Sequence, residues 1–224
     1  MNETMIRQIQ GYMQNSLDDT NTFDSFIDRC KWYYERPAHS LQEIKSKEST
    51  KVKGDVFEHF AYLYFAKVKK YEVWFLKDLP KDLREHLGLK KVDLGIDLVA
   101  HNKGRYYAIQ VKYRKTNKYK SKTVLGWKQL STFYGLVSKT GPGSDGQGSK
   151  WVKHIVFTNA DYIRHVGKKG PKDWSICKGT LRAIKRDKWE AMIGFEGHKL
   201  SEGGKTKKLT LEELREARLK ALLN

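Results

Sequence analysis

GIDLVAHNKGRYYAIQVKY, residues 95–113, is the stretch that decides the fold. It contains two largely apolar runs, 95–100 and 105–113, on either side of His101-Asn102-Lys103-Gly104. Because Asn and Gly tolerate a positive φ, the intervening residues are typical of a tight turn between antiparallel strands. We therefore predict a β-hairpin whose two-residue loop is Lys103-Gly104.

The position of the turn determines which residues lie opposite each other in the hairpin. With that loop, Asp97 pairs with Gln110 and has Lys112 as its diagonal neighbour, at typical cross-strand separations of ~5 Å and ~7–8 Å. Side chains alternate between the faces of a strand, so one face of the second strand carries Ala108, Gln110 and Lys112. On the first strand Asp97 is expected to point away from a core face formed by Ile96, Leu98 and Ala100.

A carboxylate, an amide and an ammonium group on one patch of sheet suit the hydrolysis of a phosphodiester bond. Asp97 is expected to hold a hard cation such as Mg²⁺ through oxygen, with the backbone carbonyl of Val111 as a further ligand. The cation neutralises phosphate charge and lowers the pKa of a bound water. Lys112 would orient the attacking water or stabilise charge on phosphorus, and Gln110 would act as a weak ligand or water orienter.

The flanking sequence predicts further helices and strands. Helices are expected at 54–68, 125–137 and 179–193, and strands at 72–76 and 152–158. Residues 80–91 suggest a helical turn that begins at Pro80 and has a glycine at its exit. This order predicts an α/β fold with a central mixed β-sheet flanked by helices. Trp127 is expected in the core, with a base-stacking platform as the alternative. We expect three parts: a helical N-terminal extension over 1–50, the main domain over 51–195, and a basic linker with a C-terminal helix over 196–224.

VDLGIDLVAHNKGRYYAIQVKYR, residues 92–114, resembles the core of the PD-(D/E)XK nuclease superfamily, in which an acid, a hairpin and (D/E)-x-K follow one another. Here the pattern reads Asp97 and then Gln110-Val111-Lys112, and the glutamine resembles the QxK motif of the Mrr-like branch. The stretch is similar to nuclease domains of type ISP restriction enzymes and of proteins of large DNA viruses. The resemblance covers residues 52–165. It implies a restriction-endonuclease-like core and a Mg²⁺- or Mn²⁺-dependent endodeoxyribonuclease with Asp97, Gln110 and Lys112 as catalytic residues.

The neutral Gln110 leaves the hairpin with one carboxylate where the superfamily pattern has two. In QxK relatives a Glu on the first helix compensates, and Glu58 stands at that place, four residues after Gly54. The resemblance thus implies a catalytic and metal-binding role for Glu58, and a salt bridge to a lysine is the alternative. Asp93 is a secondary candidate metal ligand, with the capping of a local turn as its alternative role.

The charge of the chain favours a polyanionic partner. Lys and Arg number 44 against 26 Asp and Glu, which gives a formal net charge of +18. Residues 1–50 hold 6 basic and 8 acidic residues, so the positive excess belongs to the rest of the chain. The expected partner is DNA. The expected contacts, for which a solvated loop is the alternative, are Arg114, Lys115, Lys118, Lys120, Lys122, Lys128 and Gln129.

Other features narrow the class of protein. No apolar run approaches the ~20 residues needed to span a bilayer, and the N-terminus lacks the pattern of a secretory signal, so we expect no membrane partner. Cys30 and Cys177 provide neither a disulfide framework nor a zinc site. We expect an intracellular protein of the cytoplasm or nucleus, with a viral origin among the candidates.

Two functions stay open at this point. The first is a metal-dependent DNA endonuclease, either restriction-like or specific for branched DNA structures. The second is a nuclease-fold DNA-binding protein that no longer cuts, since one acid of the pattern is missing. The chain carries one copy of the Asp97, Gln110 and Lys112 set, so cutting both strands requires two chains or two binding events. A homodimer is therefore also open.

Overall fold

The computed structural model describes residues 3–35, 50–90, 95–115, 122–142, 151–164 and 170–194. Its helices are α1 (Glu3–Gln14), α2 (Thr22–Glu35), α3 (Thr50–Leu63), α4 (Lys81–His86), α5 (Ser131–Val137), α6 (Lys178–Arg182) and α7 (Arg186–Ile193). Its strands are β1 (Glu72–Phe75), β2 (Leu98–Asn102), β3 (Arg105–Lys112), β4 (Val124–Gly126), β5 (Lys153–Thr158), β6 (Tyr162–Arg164) and β7 (Asp173–Ile176). None of the helices in these ranges has the length and apolar character needed to span a membrane.

Five of the strands form one mixed sheet in the order β1-β2-β3-β5-β7. β2 is antiparallel to β1 and β3, whereas β5 is parallel to β3 and β7. The two remaining strands, β4 and β6, form a separate parallel pair. β3 therefore lies at the centre of the sheet, where its antiparallel and parallel halves meet. The predicted α/β fold with a central mixed sheet is confirmed.

The hairpin has the predicted register. Leu98 pairs with Ile109 and Asn102 pairs with Arg105, which leaves a two-residue loop. Both loop residues have a positive φ, 49° at Lys103 and 73° at Gly104. Positive φ at both positions is the signature of a type I′ turn, whose twist matches that of the flanking strands.

Both faces of the sheet are buried, each in a core of its own. One core contains Leu98, Ala100, Ile109 and Val111, and the opposite core contains Val99, Ala108 and Ile96. The prediction that Ile96 shares a core face with Leu98 and Ala100 is therefore wrong. The strict alternation begins only where β2 begins, at Leu98, and Gly95 before it has a φ of 118°, so the chain reaches the strand along a different path.

Helices α1 and α2 pack on the first of these cores. The ring of Phe26 on α2 lies 5.0 Å from that of Phe60 on α3, and Phe60 stacks on Trp189 of α7 at 5.6 Å. Aromatic pairs at such distances add to the free energy gained by burial of the rings. The predicted C-terminal helix lies outside the described residues, and the division of the chain into three parts stays a prediction.

Two predicted helices have the wrong extent. Residues 125–137 contain the end of β4, a 3₁₀ turn (Trp127–Gln129) and α5, because Gly126 pairs with Arg164 of β6 and its amide donates to the Gln129 side chain at 2.7 Å. Residues 179–193 are divided between α6 and α7. Trp127, expected in the core, is 42% exposed. Neither β6 nor β7 is predicted by the sequence pattern.

His59 on α3 is a buried ionisable residue in the first core. Its side chain is 4% exposed, and its ring lies 4.7 Å from the ring of Phe75. Nδ1 lies 2.6 Å from the carbonyl oxygen of Asp55 and donates to it, whereas Nε2 is buried without a hydrogen-bond partner. Burial lowers the pKa of His59, and the nearby charge of Lys77 acts in the same direction.

Acid is therefore expected to destabilise the protein through His59. Because the pKa in the folded state lies below the unfolded value of ~6.5, the contribution of His59 to stability is complete above that pH and is lost as the pH falls below it. His59→Phe, which keeps a ring beside Phe75, should reduce the fall in the free energy of unfolding between pH 6.5 and about 5. Urea denaturation at several pH values measures this fall, and His154, whose pKa burial also lowers, accounts for part of the remaining slope. An equally steep fall in the free energy of unfolding at acid pH in the wild type and in His59→Phe would contradict this role of His59.

Candidate active site

Asp97 lies directly before β2, and its backbone forms hydrogen bonds with residues on both sides of it in the sheet. Its amide donates to the carbonyl oxygen of Ile109 on β3 at 2.9 Å, and its own carbonyl accepts from the amide of Leu76 at 3.0 Å. Asp97 therefore bonds to both sides of the sheet, its amide to β3 and its carbonyl to the residue after β1, although the regular ladder begins only at Leu98. These two bonds hold the backbone of Asp97 between its neighbours.

The carboxylate of Asp97 is oriented by two hydrogen bonds to the same oxygen. Oδ2 accepts from the backbone amide of Val111 at 2.6 Å and from Nε2 of Gln110 at 3.1 Å. Hydrogen bonds to an ionised acceptor are shorter and stronger than neutral ones, so the two contacts fix the direction of the side chain. Asp97 and Gln110 are thus brought together as the sequence predicts, whereas Val111 contacts Asp97 through its amide, and the role of its carbonyl as a metal ligand stays a prediction.

The side chain of Gln110 is buried, with 2% of the residue exposed. The amide nitrogen and the amide oxygen each have a defined neighbour. Nε2 faces Asp97, while Oε1 lies beside Gly95, 3.5 Å from where a β-carbon of that residue would stand. The neutral amide in this arrangement acts as a donor that holds the carboxylate. A glutamate at this position would place a second negative charge against Asp97, which the amide avoids. The role of Gln110 as a metal ligand stays a prediction.

Lys112 is the last residue of β3 and is half-buried. It shares a face with Gln110 because side chains two apart on a strand point the same way. Its carbonyl oxygen accepts a hydrogen bond from Oγ1 of Thr158 at 2.7 Å, and the same two residues are register partners in the parallel pair of β3 and β5. The hydrogen bond from Thr158 therefore fixes the end of β3 at Lys112, the residue whose ammonium group is predicted to act in catalysis.

Glu58 is half-buried on α3. The ring of its neighbour Phe57 contacts the ring of Tyr113, the residue after Lys112, at 5.7 Å. This segment of α3 thus lies at the end of β3 that carries Lys112, which is where a compensating acid is expected. Its participation in the site stays a prediction.

Two residues after β5, Asn159 and Asp161, bind the backbone of the segment that follows β3, and the sequence pattern predicts no role for them. The side chain of Asn159 accepts from the amide of Arg114 at 2.6 Å and donates to the carbonyl of the same residue at 2.8 Å. The carboxylate of Asp161 accepts from the amide of Thr123 at 2.7 Å. Asn and Asp side chains bind backbone groups where regular ladders end, so Thr158-Asn159-Ala160-Asp161 directly after an apolar strand is the signal that could have indicated them.

The predicted DNA-contacting residues fall into three groups. Lys115, Lys122 and Lys128 are exposed, and Arg114 is half-buried. Gln129 is exposed, but its Oε1 accepts from the amide of Gly126, so this atom serves the 3₁₀ turn. Lys118 and Lys120 lie outside the described residues.

The oriented carboxylate of Asp97 suits a divalent cation that keeps part of its water shell. Further oxygen donors from Glu58 and from the backbone carbonyl of Val111 stay a prediction. Mg²⁺ is commonly held by one or two carboxylates with several waters. Within the described ranges no three His, Cys, Asp or Glu side chains are grouped so that they could hold a metal ion. Asp93, the secondary candidate, lies outside those ranges.

Comparison with known proteins gives one match. A family model described as a restriction endonuclease, of the Mrr catalytic type, matches residues 63–186, which is more than half of the chain. The matched segment runs from the end of α3 to the start of α7 and contains Asp97, Gln110 and Lys112, whereas Glu58 precedes it. No curated protein and no solved structure shows a significant match. The likeness to type ISP and viral nuclease domains stays a prediction.

Gly95 is a required glycine at this site. Its φ is 118°, and a β-carbon there would lie 3.1 Å from the backbone nitrogen of Phe133 and 3.2 Å from its α-carbon. Gly104 is a matched control, since its φ of 73° is also positive but a β-carbon there would meet nothing within 4 Å. Comparison of alanine variants at the two positions therefore distinguishes the cost of backbone strain from the cost of close packing against α5.

Gly95→Ala should lower the free energy of unfolding by ~2–4 kcal/mol, because strain and overpacking act together. Gly104→Ala carries strain alone and should cost ~1–2 kcal/mol. Urea denaturation of both variants measures the difference. Equal losses would contradict the close approach of α5 to the segment before Asp97.

Proposed function

The chain belongs to the restriction endonuclease family, and from this premise we propose that it is a Mg²⁺- or Mn²⁺-dependent endodeoxyribonuclease that hydrolyses phosphodiester bonds. The observation that carries the proposal is the orientation of Asp97 by Val111 and Gln110 at the hairpin, beside the strand that ends in Lys112. Family membership supplies the reaction class, and the hairpin supplies the residues.

Each residue has a separate task in the proposed reaction. Asp97 and Glu58 would hold the divalent cation through oxygen, with the carbonyl of Val111 as a further donor. When bound, the cation lowers the pKa of a water and neutralises phosphate charge. Lys112 orients that water or stabilises the charge that develops on the phosphate oxygens. Gln110 is a positioning residue, because its amide holds Asp97 in place.

DNA is the substrate that the family implies, and the charge of the chain supports it. The formal net charge is +18, and exposed lysines at 115, 122 and 128 follow the catalytic strand. Such residues contact phosphates regardless of base sequence. The proposal therefore includes contacts from Arg114 and these lysines to the DNA backbone.

A nuclease-fold protein that binds DNA without cutting it is the second candidate. It is favoured by the neutral Gln110 and by the lack of a three-residue metal cluster among the residues that the structure describes. In this candidate the Asp97 cluster would stabilise the hairpin and bind no cation. Cleavage by the purified protein separates the two candidates directly.

The proposal also covers assembly and location. One Asp97, Gln110 and Lys112 set acts on one phosphate at a time, so a double-strand cut requires a homodimer or two binding events. The choice between a specific DNA sequence and a branched DNA structure as substrate depends on contacts that other residues than Asp97, Gln110 and Lys112 make with the DNA. Cys30 and Cys177 are free thiols, which accords with the intracellular location that we propose, in cytoplasm or nucleus.

The test is cleavage of supercoiled plasmid with Mg²⁺ or Mn²⁺ against a chelator control. Asp97→Asn keeps the size of the side chain but removes its charge, and should abolish cleavage while DNA binding in Ca²⁺ persists. Lys112→Met should reduce the cleavage rate by a factor of at least ~10², as expected when a charge-stabilising group is lost.

The matched controls are Asp187→Asn and Lys188→Met, which alter an exposed acid and base that form an ion pair at 3.2 Å on α7. Both should cut at the wild-type rate. Wild-type cleavage by Asp97→Asn would show that the assigned centre is wrong. Chelator-resistant cleavage would exclude the metal-dependent reaction, and DNA binding without any cleavage would favour the second candidate.

A further inference from the structure

The paired strands β4 and β6 present a polar, aromatic face to solvent. Leu125 and its partner Ile163 point inward, where Leu125 is fully buried and Ile163 packs on the same core. Alternation along the strands places Tyr162 and Arg164 on the opposite face, and both are exposed. This two-stranded ribbon therefore has one face in the core and one in solvent.

The ribbon begins where the candidate catalytic strand ends. Thr158, which bonds the carbonyl of Lys112, precedes Tyr162 by four residues. Thr123, directly before β4, and Asp161, directly before β6, are joined by two hydrogen bonds: the amide of Thr123 donates to the Asp161 carboxylate at 2.7 Å, and the amide of Asp161 donates to the Thr123 carbonyl at 2.8 Å. Both strands of the ribbon thus start at the Lys112 end of β3 and β5.

Exposed aromatic side chains are concentrated at this ribbon. In the part of the chain that the structure describes, the large hydrophobic side chains that are exposed are Trp127 and Tyr162, each at 42%. Trp127 directly follows β4, and its ring is stacked on Tyr134 at 5.1 Å with an interplanar angle of 8°. The stack holds the indole in a fixed orientation while nearly half of the side chain stays in solvent. In the register of the ribbon Tyr162 lies opposite Val124, whereas Trp127 follows Gly126, the partner of Arg164. The two rings therefore stand at opposite ends of the ribbon, with Arg164 at the Trp127 end.

Basic side chains accompany the aromatic ones. Lys122 precedes β4, Lys128 follows Trp127, and Arg164 ends β6, and all three are exposed. We name Lys122, Trp127, Lys128, Tyr162 and Arg164 the ribbon surface. Alternating flat aromatic groups and cations is the chemistry that recognises single-stranded nucleic acid, in which bases stack on the rings and phosphates meet the charges.

We propose that the ribbon surface binds unpaired nucleotides of the DNA strand next to the scissile phosphate. In an uninterrupted duplex each base face is covered by its neighbours, so exposed rings gain nothing from stacking there. Unpaired nucleotides offer both a free base face and a phosphate for each step along the strand. The inference rests on the proposed function, since it assigns a substrate class to the same site: DNA with a single-stranded portion, such as a fork, a flap or a gap.

The experiment measures binding of the full-length protein in Ca²⁺ to three labelled probes: an oligothymidylate, a blunt duplex of equal length, and a fork that joins the two. Tyr162→Ala and Trp127→Ala should each weaken binding to the oligothymidylate and the fork by about tenfold, as expected for the loss of one base–aromatic contact. Binding to the blunt duplex should change by less than about twofold. Tyr162→Phe keeps a ring and should bind as the wild type does.

Two controls show whether the effect is specific to the rings. Lys188→Met removes a cation from α7, away from the ribbon, and should bind all three probes like the wild type. Thermal unfolding shows whether each variant is folded. If Trp127→Ala does not fold, Trp127→Tyr, which keeps an aromatic ring like Tyr162→Phe, is measured as a second ring-preserving variant.

The outcomes separate this inference from the proposed function. Selective loss of oligothymidylate and fork binding supports the inference. Equal weakening on all probes, or no change in Tyr162→Ala and Trp127→Ala, overturns it, even when the wild type cuts plasmid and the proposed function stands. A wild-type protein that binds the fork selectively through these rings but cuts nothing with Mg²⁺ or Mn²⁺ supports the ribbon surface and contradicts the nuclease.

Discussion

The hydrogen bond from the amide of Val111 to the carboxylate of Asp97, at 2.6 Å, is the interaction on which the candidate site depends. It connects the residue before β2 with the central strand of the sheet, so the carboxylate is oriented by the fold itself. Gln110 adds a second donor to the same oxygen. Because the donors are a backbone amide and a buried side chain, the orientation of the carboxylate is set by the strands themselves.

Packing on both faces of the sheet makes this arrangement rigid. β3 is covered by one core on each side, and the chain beyond it is tied to β5 by Thr158 and Asn159. Close-packed interiors allow little displacement of a central strand. The polar groups of the candidate site therefore stand at the end of an otherwise apolar strand.

The hairpin is the most predictable part of the molecule, because a two-residue turn with Lys103-Gly104 determines the register of β2 against β3. Asp97 and Gln110, which that register brings near each other, are joined by a side-chain hydrogen bond. The local sequence pattern gave wrong predictions where pairing with a distant strand determines the structure. Residues 124–126 belong to a strand only because β6 lies beside them, and that partner is 38 residues away in the sequence at Tyr162. Likewise the exposure of Trp127 follows from the turn after β4, which helical periodicity does not indicate. The backbone contacts of Asn159 and Asp161 depend on the same long-range approach.

Binding of a divalent cation by Asp97 is the central claim, and the most direct measurement is anomalous diffraction from crystals of the protein grown with Mn²⁺. The account predicts an anomalous peak within bonding distance of the Asp97 carboxylate in the wild type and no peak there in Asp97→Asn. Loss of the peak in Glu58→Gln as well would place that acid in the same site. Crystals in which Asp97 and its two donors are ordered as described, but which show no Mn²⁺ at the carboxylate, would contradict the account.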